Sequence, residues 1–355
     1  MDDRRFPRSG LWRSFALSTI ACALAALGFE FVVRVFSLAP PLHGQVAGLM
    51  VPDPYLPYRP RPNGVWTSTT ASGKFEFETR HSSLGLRDVE HAVPKPPGTF
   101  RILGLGDSFT YGSGADFEDT YLVRLERMFR RRPGRHPTIE IVKAGIPRYF
   151  PEPERLFLEH YGLALQPDLV LVGFTPNDVG DTVMGIDAVK PAPDGLLMTR
   201  EAAQIGPVGY WLFVHSQAAR ALLSRWVAYR ARAEHPLYWN DIYIPKGRHE
   251  DAWRTVEAEY GRMVGLAAQR GARLVILHIP DHPPWNRKTA YPATRLAAWA
   301  KSHGAFLIDT LPALRAAAAA KREIYWSDDL HCTGEGYRVI AQALSRGLKE
   351  RGLVP

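Results

Sequence analysis

Cysteine is nearly absent: the 355 residues contain two, Cys22 and Cys332. Two cannot build a disulfide framework, and there is no C-x-x-C pair to hold zinc. The 30 glycines and 29 prolines follow no period, which excludes a collagen-like or other fibrous repeat. No self-similar unit of 20 to 50 residues is visible, so a solenoid is excluded too. Charge and apolar content are neither scarce nor extreme. With 46% apolar and 23% charged residues, a disordered chain and a polytopic membrane protein are ruled out. What the chain lacks in charge is acid: 44 Lys and Arg against 36 Asp and Glu leave a net +8. Such a balance suits anionic neighbours, meaning nucleic acid, lipid head groups or acidic polymers. The N-terminal residues decide among these, against nucleic acid.

Residues 15 to 29, FALSTIACALAALGF, carry no charge. The apolar run resumes after Glu30, meets Arg34 and ends near Leu38, where Pro40 and Pro41 stop it. Read as one helix, residues 14 to 38 reach across roughly 30 Å of hydrocarbon. Glu30 and Arg34 share a helix face and can pair near the exit interface. Arg4, Arg5, Arg8 and Arg13 precede the span against Asp2 and Asp3. The positive-inside rule then keeps residues 1 to 13 as a cytoplasmic tail and sends the rest outside the cytoplasm, periplasmic and still attached. Two alternatives stay open. Ala23-Leu24-Ala25 has the form of a signal-peptidase site. Cys22 is a candidate for lipidation, although Thr19 stands where a lipobox wants an aliphatic residue. A buried soluble helix conflicts with the basic flank and the proline stop. On any membrane reading Cys332 has no partner.

Residues 39 to 97 are rich in Pro, Gly, Ser and Thr, and KFEFET at 74 to 79 alternates like a half-buried strand. An extended or β-containing stalk is expected here. From residue 98 onward strand and helix patterns alternate. Strands are expected at 100–106, 138–145, 168–174, 272–279 and 304–309. Helices are expected at 119–132, 152–164, 250–269 and 334–350. Strands apolar throughout and separated by helices predict a five-stranded parallel sheet covered on both faces. Ligands then bind outside the carboxyl ends of the strands. Residues 180 to 247 form a cap-like insert rich in Trp and Tyr, including Tyr210, Trp211, Trp226, Tyr229, Tyr238, Trp239 and Tyr243. These side chains either pack a cap layer or line an acyl or sugar pocket over Ser108.

Chemistry-bearing residues gather at strand ends. Gly106-Asp107-Ser108-Phe109 follows the first strand directly, with glycine allowing a tight turn. Taken alone, Ser108 equally reads as a helix N-cap. In YWSDDLHCTGEGY, Asp328 lies three residues before His331, so it can hold one imidazole nitrogen while the other faces a nucleophile. Taken alone, this segment reads as a solvated acidic turn. Gly145 follows the second strand and Asn177 the third. A glycine N–H and a side-chain amide are what an oxyanion hole needs, though each singly suits an ordinary loop.

Together, in chain order, Ser108, Gly145, Asn177 and His331 resemble the SGNH/GDSL hydrolase superfamily. RILGLGDSFTYGSG, VKAGIPRY, PDLVLVGFTPND and DDLHCTGEGY are similar to its membrane-anchored bacterial branch, with GDSF in place of GDSL. The match runs roughly from residue 99 to 350. SSLGLRD at 82 to 88 is similar to a short motif of that branch. Departures are Lys143, where asparagine is frequent, and Cys332-Thr333, where Pro-Asn or Trp-Asn is common. The resemblance implies a three-layer α/β/α sandwich of flavodoxin-like form. It implies Ser108 as nucleophile, His331 as acid and base, and Asp328 as the orienting acid, with Asp329 as alternative. The Ser108 and Gly145 N–H groups and the Asn177 amide would form the oxyanion hole. No metal and no organic cofactor is implied, and Asp107 is expected to serve the turn.

Other features remain outside that site. His278, Asp281 and His282 near the fourth strand end suggest a metal less than an ordinary loop. Arg124, Arg127, Arg130, Arg131, Arg132 and Arg135 complement a helix C-terminus, or meet anionic lipid or an acidic cell-wall polymer. The function expected is a membrane-tethered serine esterase acting on acyl esters, acetyl foremost, of a glycan or lipid. Two alternatives stay open. One is an O-acyltransferase using the same triad, with a polysaccharide hydroxyl in place of water. The other is a silent scaffold of a surface-polymer complex, against which the full set of site residues stands.

Overall fold

The structure, a computed structural model of the chain, describes residues 8–40, 48–70, 73, 75–130, 138–234, 239–327 and 329–355. Along the chain the principal helices are α1 (Arg8–Val35), α2 (Ser108–Tyr111), α3 (Tyr121–Arg130), α4 (Pro151–His160), α5 (Asn177–Met184), α6 (Gly206–His215), α7 (Gln217–Glu234), α8 (Glu250–Ala268), α9 (Tyr291–Ser302), α10 (Leu311–Ala319) and α11 (Gly334–Glu350). The central strands are β1 (Thr99–Gly106), β2 (Thr138–Gly145), β3 (Leu169–Phe174), β4 (Arg273–His278) and β5 (Phe306–Asp309). The chain divides into two compact units. One joins residues 1–42 to 201–234, and the other joins 43–200 to 235–355.

In the larger unit the five strands lie in the order β5-β4-β3-β1-β2, all parallel. This is the doubly wound order whose switch point falls between β1 and β3. Most strand positions are apolar, as in a sheet covered on both faces. Leu103, Leu105, Val142, Ala144, Val170 and Val172 turn to one face, where Leu158 of α4, Trp253, Val256 and Tyr260 of α8 and Leu296 of α9 cover them. Ile102, Ile141, Leu169, Leu171, Val275 and Leu277 turn to the other, under Leu122 and Leu125 of α3, Leu314 of α10 and Ile340 and Leu344 of α11. Thr333 caps α11, its Oγ1 accepting the Gly336 N–H at 3.2 Å. The helix expected over 119–132 begins at Tyr121, because residues 117–119 form a separate short turn that ends on extended Thr120. The one expected over 152–164 stops at His160 and is followed by a 3-10 turn, Gly162–Leu165.

The segment before β1 contributes two antiparallel hairpins, Met50–Val51 with Arg59–Pro60 and Val65–Thr69 with Glu76–Arg80. It is tied to the sheet domain at several points. The Tyr58 hydroxyl donates to the Pro147 carbonyl at 2.8 Å. Asp88 accepts from the Lys143 backbone N–H at 2.8 Å and from Lys143 Nζ at 2.9 Å. Lys143 Nζ also donates to Glu126 Oε2 at 3.1 Å and to the Ile141 carbonyl at 2.7 Å. Strand alternation explains its direction. Ile141 and Lys143 point toward α3, while Val142 and Ala144 point to the opposite face. Lys143 therefore serves a buried ion cluster behind the sheet. Burial alone would raise the Asp88 carboxyl, but Lys143 and the His91 imidazole outweigh it and hold Asp88 below the usual carboxylate range.

The smaller unit is helical. Trp12–Val35 of α1, 24 residues, is long and apolar enough to cross a membrane, and side chains such as Phe15, Leu24 and Phe31 stand about two-thirds exposed along it, at 68%, 65% and 68%. Val33 of α1 packs against Ala218 and Ala221 of α7.

Removing one member of a buried ion cluster strands the others, at about 3–5 kcal/mol. Lys143→Met is expected to lower unfolding stability by that amount in urea titrations followed by tryptophan fluorescence. Adding Asp88→Asn should recover part of the loss. A change below about 1 kcal/mol would mean that Lys143 carries no structural charge role.

Candidate active site

The site begins where β1 ends. Gly106 has φ +150°, and a Cβ there would fall 2.0 Å from Thr110 Oγ1. Gly145 and Gly173 are its in-register neighbours on β2 and β3. A Cβ at Gly173 would sit 2.4 Å from the same Thr110 oxygen, and one at Gly145 would sit 2.4 Å from the Thr110 carbonyl carbon. Three strand-end glycines thus clear the space into which α2 settles on the sheet edge. The helix is one turn long and ends at Gly112, in the left-handed conformation at φ +84°.

Asp107 caps this turn, its Oδ1 accepting the Phe109 N–H at 2.9 Å. Its Oδ2 accepts from Thr175 Oγ1 at 2.9 Å and from Asn177 Nδ2 at 3.2 Å. One carboxylate therefore joins the turn after β1 to the turn after β3. It is 1% exposed, and burial raises its pKa against the opposing pull of those hydrogen bonds.

Ser108 opens α2, and its Oγ lies 2.8 Å from His331 Nε2. His331 Nδ1 lies 2.5 Å from Asp329 Oδ1, which also accepts the His331 backbone N–H at 2.9 Å. The ring rests against Phe109, centroids 5.2 Å apart. Asp328 lies outside the described residues, so the carboxylate described on His331 is that of Asp329, the alternative orienter in the sequence reading. The Asp329 carboxylate binds both the ring and the backbone of the same histidine.

Asn177 begins α5. Its Oδ1 lies 2.5 Å from Thr175 Oγ1, sharing that hydroxyl's one proton with Asp107 Oδ2, while Nδ2 gives a long second bond to Asp181 Oδ2 at 3.4 Å. An N–H in so long a bond is the one most readily redirected to an incoming anion. Glu154 and Asp178 are buried; burial and then repulsion from Asp107 hold Glu154 well above the usual carboxylate range, and burial with repulsion from Glu154 and Asp107 does the same for Asp178. Neither oxygen of Glu154 has a hydrogen-bond partner among the described residues.

Two features of the site were hidden in the sequence. Arg87, within the SSLGLRD motif, is 2% exposed and donates to the Tyr111 and Gly112 carbonyls at 3.2 and 2.7 Å, and to the Ala115 carbonyl at 2.9 Å. It fastens the end of α2 from behind. Cys332 is fully buried, and burial pushes its thiol up, out of reactive range. Three residues considered for a metal turn apart. His278 Nδ1 meets Asp309 Oδ1 at 2.7 Å, and His282 bonds to the Pro283 and Trp326 carbonyls at 2.7 and 3.1 Å. Asp281, pushed up to about 7 by burial and by Asp107, lies near the site without a shared ligand. Among the described residues no group of three or more His, Cys, Asp or Glu is placed to hold a metal ion. Arg124, Arg127 and Arg130 pair with Asp119, Glu118 and Glu126, while Arg131, Arg132 and Arg135 lie outside the described residues.

The profile of the GDSL-like Lipase/Acylhydrolase family matches residues 105–339. The chain belongs to that family, and with it to the SGNH/GDSL superfamily of ester hydrolases. Among solved structures, TesA is 14% identical, with 70% of this chain and 98% of TesA aligned and a TM-score of 0.43. A catalytic mutant of Axe2, an acetylxylan esterase from Geobacillus stearothermophilus, is 13% identical over 70% of this chain and 93% of its own, at TM-score 0.43. A member of the lipolytic protein G-D-S-L family from Veillonella parvula DSM 2008 is 12% identical over 70% of this chain and 98% of its own, at TM-score 0.41. No curated protein matches the chain significantly.

Asn177 separates a catalytic from a structural role. An amide that meets charge only in the transition state raises kcat without tightening binding. Asn177→Ala is expected to lower kcat on aryl esters by roughly a hundred- to a thousand-fold with little change in KM. Near-normal kcat with a lowered melting temperature would reduce Asn177 to a clamp on Asp107 and Thr175.

Proposed function

We propose that this protein is a membrane-tethered serine esterase that removes acyl groups, acetyl foremost, from a glycan or lipid outside the cytoplasm. The observation that carries the reading is the continuous hydrogen-bonded line from Ser108 Oγ through His331 to Asp329, at 2.8 and 2.5 Å. In the proposed reaction Ser108 Oγ attacks the ester carbonyl carbon as His331 Nε2 takes its proton. The C=O bond opens to an oxyanion, which the Ser108 and Gly145 N–H groups and the Asn177 amide stabilise. His331 passes the proton to the departing alcohol, leaving an acyl-serine. Water, deprotonated by the same nitrogen, then attacks the acyl-serine; as the acyl–Oγ bond breaks His331 returns that proton to Ser108 Oγ, the carboxylic acid leaves, and both residues are restored. Asp329 fixes the imidazole tautomer and stabilises the imidazolium. A serine already bonded to its base also speaks against a silent scaffold.

The tether rests on α1. Its 24-residue apolar stretch follows a basic flank that includes Arg4, Arg5, Arg8 and Arg13. By the positive-inside rule that flank stays in the cytoplasm, and the hydrolase unit lies across the membrane.

The two adjacent acids make the sharpest test. With full-length protein in detergent and aryl esters of graded chain length, Asp329→Asn is expected to lower kcat by about 10³- to 10⁴-fold, as loss of the orienting acid does in serine hydrolases. Asp328→Asn should stay within a few-fold of the parent. The reverse pattern would return the role to Asp328.

A further inference from the structure

The pair α6–α7 takes no part in the chemistry proposed above, yet it is built onto α1 through a designed junction. Ser216, between the two helices, donates its hydroxyl to Glu30 Oε2 at 2.7 Å. Gln217 and Ala218, the first residues of α7, donate their backbone N–H groups to the two Glu30 oxygens at 3.0 and 2.8 Å. Arg34 Nε donates to Glu30 Oε1 at 2.6 Å, and its Nη2 reaches the His215 carbonyl at 3.4 Å. A carboxylate from one helix thus caps the positive end of another, where the backbone N–H groups are otherwise orphaned. An acid at the edge of a hydrocarbon layer is tolerated when it is so fully occupied.

Position along α1 fixes the depth of this junction. Glu30 lies about 27 Å beyond Trp12 along a helix rising 1.5 Å per residue, close to the ~30 Å of a bilayer core. The start of α7, and the end of α6 beside it, are therefore held at the level where α1 leaves the hydrocarbon. The composition of both helices fits that level. Residues 202 to 214 contain no charge. In α6, Val208, Trp211 and Leu212 are exposed, Val208 at 74%. In α7, Leu222, Trp226 and Tyr229 are exposed and lie four and seven residues apart, on one helix face. That face continues the one on which Ala218 and Ala221 meet Val33 of α1, and it also carries exposed Arg225. Tryptophan, tyrosine and arginine interleaved with aliphatic residues are the composition of a membrane interface.

We propose that α6 and α7 form a second membrane contact, lying in the head-group interface of the leaflet from which α1 emerges, with Glu30 as the docking point. The occupant of this face is the bilayer itself. The proposal rests on the reading of α1 as a membrane span. It makes the middle of the insert a membrane-seated element.

Full-length protein with Cys22 replaced by serine, reconstituted in nanodiscs containing anionic lipid, tests this directly. Nitroxide labels are placed singly at Leu24→Cys, Val208→Cys, Trp226→Cys and, as an aqueous reference, exposed Lys301→Cys. Collision with oxygen, which concentrates in lipid, is compared with collision with a water-soluble nickel chelate. The ratio is expected to be severalfold higher at positions 24, 208 and 226 than at 301. Adding Glu30→Ala should return positions 208 and 226 toward the aqueous value and leave 24 unchanged. A lipid-like value at 24 with aqueous values at 208 and 226 in the parent would overturn the proposal while the span stands. Aqueous values at 24 as well would overturn the span. Shielding of 208 and 226 from both reagents would mean that protein covers this face, and would equally overturn the proposal.

Discussion

The buried carboxylate of Asp107 is the constraint on which the site depends. It binds the Phe109 N–H of the turn after β1, and the Thr175 hydroxyl and Asn177 amide of the turn after β3. These turns flank the switch point of the sheet, where the two halves of a doubly wound fold diverge and leave a crevice. Joining them through one carboxylate fixes the distance between Ser108 and Asn177 with groups that are themselves buried. The three strand-end glycines make this possible by letting Thr110 sit against β1, β2 and β3 at once. Any Cβ there would meet backbone or Thr110 and displace the turn that Asp107 caps through the Phe109 N–H.

Charge management follows from the same burial. Asp107, Glu154, Asp178, Asp181 and Asp281 are all raised, burial being the first cause in each. So many acids near one site would oppose an oxyanion if all were ionised. Desolvation favours their neutral forms, so the carboxylate on the histidine stands among acids biased toward protonation. Behind the sheet the opposite solution appears: Asp88 is kept ionised by Lys143 and His91. Arg87, the neighbour of Asp88, reaches the carbonyls at the end of α2. The two residues of that short motif thus hold α2 and the edge strand β2.

Much of this was legible in the sequence because it is local. β2 and α11 fall on the expected residues, and β1, β3, β4 and α8 lie within one or two residues of expectation. Apolar periodicity and glycine punctuation encode such elements directly. Ser108 and His331, which the structure brings within 2.8 Å of each other, could be singled out because ligands of parallel sheets bind at strand ends. What was not legible depends on loop dihedrals or distant partners. That Asp329 meets both the ring and the backbone N–H of His331 depends on a loop conformation that no spacing rule encodes. Arg87 acts on residues more than twenty positions away. Lys143, a departure from the family pattern just before Gly145, is sent by strand alternation to α3 and a buried ion cluster. The junction of Glu30 with α7 joins segments separated by 188 residues, beyond the reach of any pattern.

The central claim is that Ser108, activated by His331, is the nucleophile. Its most direct test is covalent. Full-length protein is treated with a fluorophosphonate, digested, and the adduct located by peptide mass spectrometry. The account predicts a single adduct on Ser108, near one per chain, formed more than a hundred-fold more slowly in His331→Ala because the serine then lacks its base. An adduct on another residue, or ester turnover that persists with Ser108 unmodified, would contradict it.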